Sequence, residues 1–199
     1  HYLQPLPIFP NPLSVGLSVF CENGDFLVLT RRSKQILSGG NIWGGVIYNA
    51  VGENAVYADS DGTHEGMCKI SIWKTAIRGL QEEIGLEFEP DQSENLVLHS
   101  FVWDTRIYDY KFFGYVFTPM SRSEIYKSWL SAADRHEHWA LSFHDTSTRS
   151  QCIKLVEEMV NHLSDYGSEC VLCTIRSLLH SKKISPMDFD NILKRSSNE

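Results

Sequence analysis

Two adjacent glutamates near the end of a predicted helix are the residues of this chain best suited to chemistry. Glu82 and Glu83 precede Gly85, and glycine commonly ends a helix in a left-handed cap. Arg78 lies four residues before Glu82, a spacing at which the two side chains can pair along a helix surface. Two carboxylates on one rigid helix can hold a hard divalent cation such as Mg²⁺. The same pattern is also typical of a solvated acidic face, so the spacing alone leaves both interpretations open.

The helix that carries these acids is predicted over residues 70–84. On a period of about 3.6 residues, five large apolar residues share one face, and the two glutamates lie almost opposite them. The apolar residues are Ile70, Trp73, Ile77, Leu80 and Ile84. We therefore expect the apolar face to be buried, and Glu82 and Glu83 to face a cleft together.

The run from Arg78 to Leu86 resembles the second half of the Nudix box, whose pattern is G-x5-E-x7-R-E-U-x-E-E-x-G-U, with U an aliphatic residue. Six positions match in register: Arg78, Leu80, Glu82, Glu83, Gly85 and Leu86. Gly79 stands where the motif has the glutamate that follows its arginine. The upstream half does not match, because its Gly and Glu would fall on His64 and Ile70. The chain thus resembles a divergent Nudix hydrolase, a family that acts on a nucleoside diphosphate linked to another moiety, X.

The flanking sequence is similar to the same family in the order of its features. A strand that ends in Arg31 and Arg32 is followed by a glycine-rich segment that contains Trp43. Nudix domains typically place such a strand and such a segment before the box. The resemblance covers roughly residues 14–145, and residues 50–69 form an unusually long segment before the helix.

The resemblance implies hydrolysis of a diphosphate bond by attack of water on phosphorus, with Mg²⁺ or Mn²⁺ as the cofactor. Glu82 and Glu83 would be metal ligands, and Glu83 would also take part in catalysis. Arg78 would orient a carboxylate rather than contact the substrate. Carboxylate-bound metal suits this chemistry because phosphoryl charge must be neutralised and the water must be oriented.

Gly79 leaves the motif one carboxylate short, and other acids are candidates to replace it. Glu137, in a loop after the later strands, is our first candidate for a third metal ligand or a catalytic base, since many Nudix enzymes take a glutamate from such a loop. Glu53 and Glu65, in the long segment before the helix, are second candidates.

Two further residues are expected to contact the substrate. Arg32 ends a strand, and its guanidinium suits a phosphate, although a charge at the end of a strand can equally face solvent. Trp43 can stack on a base, although tryptophans of a sheet are more often buried.

Composition limits the partners and the class of protein. The 199-residue chain has a formal net charge of −7 and a sequence pI of 5.6, which argues against an extended nucleic-acid-binding surface. No apolar run approaches the roughly 18–20 residues that span a bilayer, and the start resembles no secretory signal. Five dispersed cysteines favour the cytoplasm, and Cys170 and Cys173 are interpreted as buried helical thiols.

The expected partner is a nucleotide-derived small molecule. The oligomeric state, and whether the chain is part of a longer polypeptide or assembly, stay open.

The order of elements predicts an α/β (α+β) protein with a mixed central sheet, which suits the α/β/α sandwich of the Nudix family. We interpret residues 1–13 as an extended Pro-rich arm, residues 14–145 as the Nudix-like domain, and residues 146–199 as a helical extension packed on the same core. A solvated loop that includes Asp59 is predicted over residues 52–67. The predicted strands are 14–21, 26–32, 43–51, 96–103, 111–118 and 139–143, and the Asn-Gly pair at residues 23–24 predicts a hairpin turn between the first two. The predicted helices are 70–84, 121–133, 151–163, 170–180 and 186–193, and Ser121 or Ser123 is expected to cap the second.

Two functions are open from the sequence. The first is a metal-dependent pyrophosphohydrolase of the Nudix type, acting on a nucleotide-derived diphosphate substrate, which the pair Glu82 and Glu83 favours. The second is a catalytically silent Nudix-fold module that binds or senses a nucleotide or a protein partner, which Gly79 favours. Fold alone does not decide between them, because function is determined by the residues of the site.

Overall fold

A mixed sheet of seven strands lies at the centre of the described part of the chain. In the computed structural model, which describes residues 13–33, 45–64, 67–88, 95–104 and 109–196, the central strand is β1 (Leu13–Cys21). Along one edge, β1 pairs in parallel with β8 (Asp109–Phe117). Two antiparallel partners, β2 (Phe26–Arg32) and β4 (Val51–Asn54), share its other edge.

Three more strands complete this sheet. Strands β3 (Ile47–Asn49) and β9 (His138–Asp145) both pair antiparallel with β2. Strand β7 (Leu96–Asp104) pairs antiparallel with β8. The combination of parallel and antiparallel pairs confirms the predicted mixed sheet.

The segment before the acid-bearing helix differs from the prediction of a loop. Strand β4 extends to Asn54, and β5 (Ser60–His64) pairs antiparallel with β6 (Met67–Ile70) in a separate hairpin. The loop prediction over residues 52–67 is therefore wrong for much of the segment. The sequence shows no alternation of apolar and polar residues there that would predict a strand. In the structure Asp61 and Gly62 are accordingly exposed rather than packed on a core.

Five helices of the described residues cover the two faces of the sheet. Helices α1 (Ile72–Ile84) and α2 (Arg122–Leu130) pack on one face, against inward-pointing residues of β1 such as Leu17. The other face carries the three C-terminal helices and packs against Phe20. These are α3 (Arg149–Asn161), α4 (Ser168–His180) and α5 (Pro186–Ser196). Since β1 alternates its side chains between two apolar layers, the architecture is the predicted α/β/α sandwich.

Local signals set the ends of several elements. The Ser71 side chain accepts a hydrogen bond from the Lys74 amide at 3.4 Å, and α1 consequently begins two residues later than predicted. The predicted cap of α2 is confirmed, because Ser121 and Glu124 form a capping box.

Residues 1–12 of the predicted arm lie outside the described residues, as do the first residues of the strand predicted over 43–51. Among the described residues, no helix is both long and apolar enough to cross a membrane.

Candidate functional site

Helix α1 is turned about its axis relative to the prediction. Its buried residues are Thr75, Ala76, Gly79, Leu80, Glu83 and Ile84. Trp73 is 44% exposed and Ile70 is 37% exposed, so the predicted apolar stripe is wrong at both positions. Glu82 and Glu83, about 100° apart around a helix, consequently face different surroundings rather than one cleft. The spacing of apolar residues does not predict this rotation. It takes no account of a glycine that lets a strand approach the helix, or of a buried carboxylate whose oxygens are both paired.

The glycine at position 79 is a place of close approach between α1 and β4. A Cβ atom added to Gly79 would lie 2.7 Å from Val51 Cγ1 and 2.8 Å from Glu53 Cβ. No side chain therefore fits at position 79 without movement of the strand. Glu53 itself occupies the space beside the glycine and brings a carboxylate to this part of the helix.

Three carboxylates gather beside this contact. Glu53, Glu82 and Asp134 each offer one oxygen, and these oxygens all lie within 4.8 Å of one another. We call these three residues the acidic cluster. Strand β4 supplies the first and helix α1 the second, while the third comes from the loop before β9. The Asp134 amide fixes that loop by donating a hydrogen bond to the Glu82 carbonyl at 2.8 Å. A set of three carboxylate oxygens fits a hard divalent cation such as Mg²⁺ or Mn²⁺.

Arg78 ties the acidic cluster to the segment before the helix. Its guanidinium donates to Glu82 Oε2 at 2.7 Å and forms an ion pair with Glu53 Oε1 at 3.1 Å. It also binds both oxygens of Asp59, with Nε donating at 2.9 Å and Nη2 at 3.0 Å. Arg78 therefore holds carboxylates in place on two sides.

Asp59 is buried, with 2% of its surface exposed, so the predicted solvated loop is wrong at this residue. It accepts hydrogen bonds from the Thr75 hydroxyl and the Val56 amide, both at 2.9 Å, besides those from Arg78. Burial raises the pKa of this carboxyl, but the hydrogen bonds from Arg78 and its other donors outweigh burial and lower the pKa. Burial has the larger effect at Glu53, where it raises the pKa despite the nearby guanidinium.

Glu83 belongs to a different environment. It is 5% exposed, and its Oε1 accepts a hydrogen bond from the Gly52 amide at 2.8 Å. Its Oε2 lies 3.0 Å from His138 Nε2. The structure thus places Glu83 outside the acidic cluster, between β4 and the start of β9, where we had expected a metal ligand.

Glu137 and Arg32 form an ion pair with each other at 3.3 Å. Glu137 accordingly lies outside the acidic cluster, and Asp134, three residues earlier in the same loop, takes the place expected for it. Which of the two acids turns toward α1 depends on the backbone of the tight turn at Arg135–Glu137, which residue types alone do not reveal. Arg32 and Glu83 line one pocket. Trp43 lies outside the described residues, and so does Glu65.

Known structures share this architecture. The Deinococcus radiodurans protein DR0079 aligns with a TM-score of 0.51 and 10% identity, over 88% of this chain and 89% of that one. A bifunctional NMN adenylyltransferase/ADP ribose pyrophosphatase from Francisella tularensis, solved with AMP and a manganese ion, aligns with a TM-score of 0.52 and 15% identity. That alignment covers 90% of this chain and 44% of that one, so this chain spans less than half of the bifunctional enzyme.

A Nudix hydrolase from Nitrosomonas europaea aligns with a lower TM-score of 0.47 and 13% identity, over 90% of this chain and 95% of that one. No family model matches the sequence. No curated protein matches it either. Identities of this size show the fold alone. The chain has a Nudix-like fold, in which Glu82 of the acidic cluster lies on the helix that resembles the Nudix box.

Proposed function

We propose that this protein is a metal-dependent hydrolase of diphosphate bonds in nucleotide-derived substrates. The observation that carries the proposal is the position of Glu53. Its Cβ lies 2.8 Å from the place where a side chain at position 79 would begin, and its carboxylate joins those of Glu82 and Asp134. A neighbouring strand thereby supplies the charge that the glycine removes from the motif.

The acidic cluster would hold Mg²⁺ or Mn²⁺, which in such sites neutralises phosphoryl charge and makes water a better nucleophile. Arg78 has a separate task in this proposal. It contacts Glu53 and Glu82 together, so it sets the distance between two carboxylates that would otherwise repel each other. The bidentate pair with Asp59 keeps the guanidinium in that position.

The Francisella tularensis neighbour also supports the proposal. It is described as an ADP ribose pyrophosphatase and was solved with AMP and a manganese ion. The overlap with this chain is at the level of the fold, and the substrate therefore has to be found by experiment.

The decisive experiment measures turnover of dinucleotides and nucleotide sugars with Mn²⁺ in the wild type and in Glu53→Gln. We expect turnover in the wild type and a loss of at least about 10²-fold in the variant, the scale expected when a positioned catalytic group is removed. Asp61→Asn is the matched control, because Asp61 is a nearby acid that pairs with Lys74 at 2.8 Å and lies outside the acidic cluster.

A glutamate introduced at position 79 tests whether a carboxylate at that position can replace the carboxylate of Glu53. Gly79→Glu alone should damage the fold, because the new side chain would meet Val51 and Glu53. In a Val51→Ala and Glu53→Ala background, Gly79→Glu should restore part of the turnover that Glu53→Ala removes. Full activity of Glu53→Gln would contradict the proposal.

A catalytically silent binding module is the second candidate, and Gly79 is the observation that favours it. A silent module would show no turnover across the panel, while a bound nucleotide would still raise the melting temperature by mass action. The absence of both turnover and a thermal shift would exclude both functions.

A further inference from the structure

Four aromatic side chains lie together at one end of the hairpin formed by β7 and β8. The strand register places Trp103 opposite Tyr110, and Phe101 opposite Phe112, so all four share one face of the sheet. The Tyr110 ring stacks with Trp103 at 5.9 Å between ring centres and with Phe101 at 6.1 Å. The Phe101 and Phe112 rings lie 5.0 Å apart. We call these four residues the aromatic surface.

Much of the aromatic surface is open to solvent. Phe101 is 56% exposed and Trp103 is 51% exposed, whereas Leu96, at the other end of β7, is 2% exposed within the core. Strand β7 is also an edge of the sheet, because β8 is its only partner among the described strands. Exposed apolar rings beside a free strand edge invite association with other chains, and folded proteins usually cover such features. The aromatic surface is therefore suited to contact with a further segment of chain.

The chain enters β1 next to this surface. Leu13, the first residue of β1, pairs with Tyr110, which pairs in turn with Trp103. Neighbouring strands lie about 4.8 Å apart, so Trp103 is about 10 Å from the beginning of β1. Residues 1–12 precede β1 and lie outside the described residues. Twelve residues in a polyproline II conformation span about 37 Å, which is enough to cross both β8 and β7.

The composition of residues 1–12 suits an aromatic partner. The segment has no Asp, Glu, Lys or Arg, and it contains four prolines: Pro5, Pro7, Pro10 and Pro12. Proline fixes φ near about −65° and favours the polyproline II helix, which has three residues per turn. Pro7 and Pro10 are three residues apart and therefore share one face of such a helix. Segments with this proline spacing bind surfaces lined by aromatic rings, because their extended conformation is preformed and loses little entropy.

Charge and tethering favour this segment over a second copy of the protein as the occupant. The chain has a net charge of −7, so two copies repel each other, whereas residues 1–12 carry none of the acidic residues. Covalent linkage also gives a nearby segment an effective concentration in the millimolar range. Even a weak affinity for the aromatic surface is therefore enough to keep the segment bound within one molecule.

We infer that residues 1–12 dock on the aromatic surface of the same molecule, with the face that carries Pro7 and Pro10 against the rings of Phe101 and Trp103. Docking covers the exposed rings beside the free edge of β7. The inference is independent of the proposed function, because it uses no residue of the acidic cluster.

The first test is a double-mutant cycle of melting temperatures in the full chain. Replacing Pro7 and Pro10 together by serine should lower the melting temperature by about 2–4 °C, the shift expected when a chain of this length loses a modest contact. In a Trp103→Ser background the same proline change should have almost no effect, because residues in contact are not additive. Trp103 is half-exposed, so its replacement leaves the buried core intact. Phe101→Ser repeats the cycle at the neighbouring ring.

Trp139→Ser is the matched control background. Trp139 is also an exposed tryptophan of the sheet, at 60%, but it lies on β9, away from the aromatic surface. The proline change should keep its full effect in this background. An equal effect of the proline change in the Trp103→Ser and Trp139→Ser backgrounds overturns the inference, and so does the absence of any effect in the wild type.

Nuclear magnetic resonance of the unaltered chain identifies the occupant directly. We expect nuclear Overhauser effects between the side-chain protons of Pro7 or Pro10 and the ring protons of Trp103 or Phe101, unchanged on tenfold dilution. A mixture of isotope-labelled and unlabelled protein separates contacts within a molecule from contacts between molecules. Contacts found only between molecules would make a second copy the occupant and overturn the inference. The absence of both kinds of contact would also overturn it.

Discussion

Glu82 and Glu83 are adjacent in sequence, yet they belong to two regions of opposite character. Around Glu82, three carboxylates approach one another, and two of them, those of Glu53 and Glu82, contact the guanidinium of Arg78. Around Glu83, one buried carboxylate meets a backbone amide and the ring of His138. The first region concentrates negative charge, whereas in the second each oxygen of Glu83 has a partner.

Two adjacent acids of a motif therefore need not act as a pair. A turn of about 100° per residue separates consecutive side chains, so one can point along the buried face of a helix while the next lies at its edge. Excess negative charge is a property of a cation site, because oxygen ligands gathered without a cation repel each other. Paired, buried carboxylates are instead typical of groups that hold a neighbour in place.

The largest effect should come from Asp134→Asn. Loss of this carboxylate from the acidic cluster should lower turnover by at least about 10²-fold, as expected for a positioned catalytic group. The control is Glu137→Gln in the same loop, which should leave the affinity for Mn²⁺ within about twofold of the wild type, since a residue outside the ligand set does not bind the ion. Equal loss of Mn²⁺ affinity in both variants would show that the ligand set is not the one proposed.

Glu83→Gln should act mainly on stability. The change replaces a buried acceptor with an amide that cannot accept from both the Gly52 amide and His138 Nε2, so we expect a loss of about 1–3 kcal/mol in the free energy of unfolding. Glu82→Gln should cost less than about 0.5 kcal/mol, because it breaks a partly exposed pair four residues apart on a helix. Urea denaturation measures both, and the reverse order would contradict the assignment of the two regions.

Gly79→Ala tests the close approach of β4 to the helix. Although alanine is the better helix former, its Cβ would lie under 3 Å from atoms of Val51 and Glu53. We expect a loss of stability of about 1–3 kcal/mol from overpacking. Val51→Ala in the same chain should recover part of that loss, and a stabilising Gly79→Ala would show that the strand moves away freely.

The smallest effect should be the pH dependence due to Asp59. Its pKa is lowered in the folded protein, despite burial, by hydrogen bonds from Arg78 and its other donors. Its contribution to stability is therefore complete above the unfolded-state pKa of about 3.9 and is lost as the pH falls through the lower folded-state value. Denaturation at a series of pH values below about 5 should show a shallower decline in Asp59→Asn than in the wild type. Parallel curves would remove this role.

The sequence predicted elements whose signals are local. The Asn-Gly turn between β1 and β2 is one example, and its Asn23 and Gly24 adopt the positive φ values of 55° and 106° that these residue types tolerate. The cap of α2 and the glycine that ends α1 are others. Their causes lie within a few residues of chain, so they can be recognised without tertiary structure.

The candidate site could be predicted only in part, because its assembly depends on contacts between distant segments. Glu82 was identified from the motif, but Glu53 reaches it only because β4 packs on Gly79. Asp134 rather than Glu137 lies beside Glu82 because of the backbone of the turn that joins them, in which the Asp134 amide donates a hydrogen bond to the Glu82 carbonyl. The strands at residues 60–70 were not predicted, because residues 60–62 of this hairpin form no apolar face that would give a strand pattern.

The most direct test of the two-region account is a Mn²⁺ titration by calorimetry on Glu82→Gln and Glu83→Gln, each first shown to be folded by circular dichroism. Glu82→Gln should weaken Mn²⁺ binding by at least about tenfold, since it removes a charged oxygen ligand. Glu83→Gln should bind Mn²⁺ as the wild type does. Equal weakening in both variants, or a larger loss in Glu83→Gln, would contradict the claim that the two glutamates serve different sites.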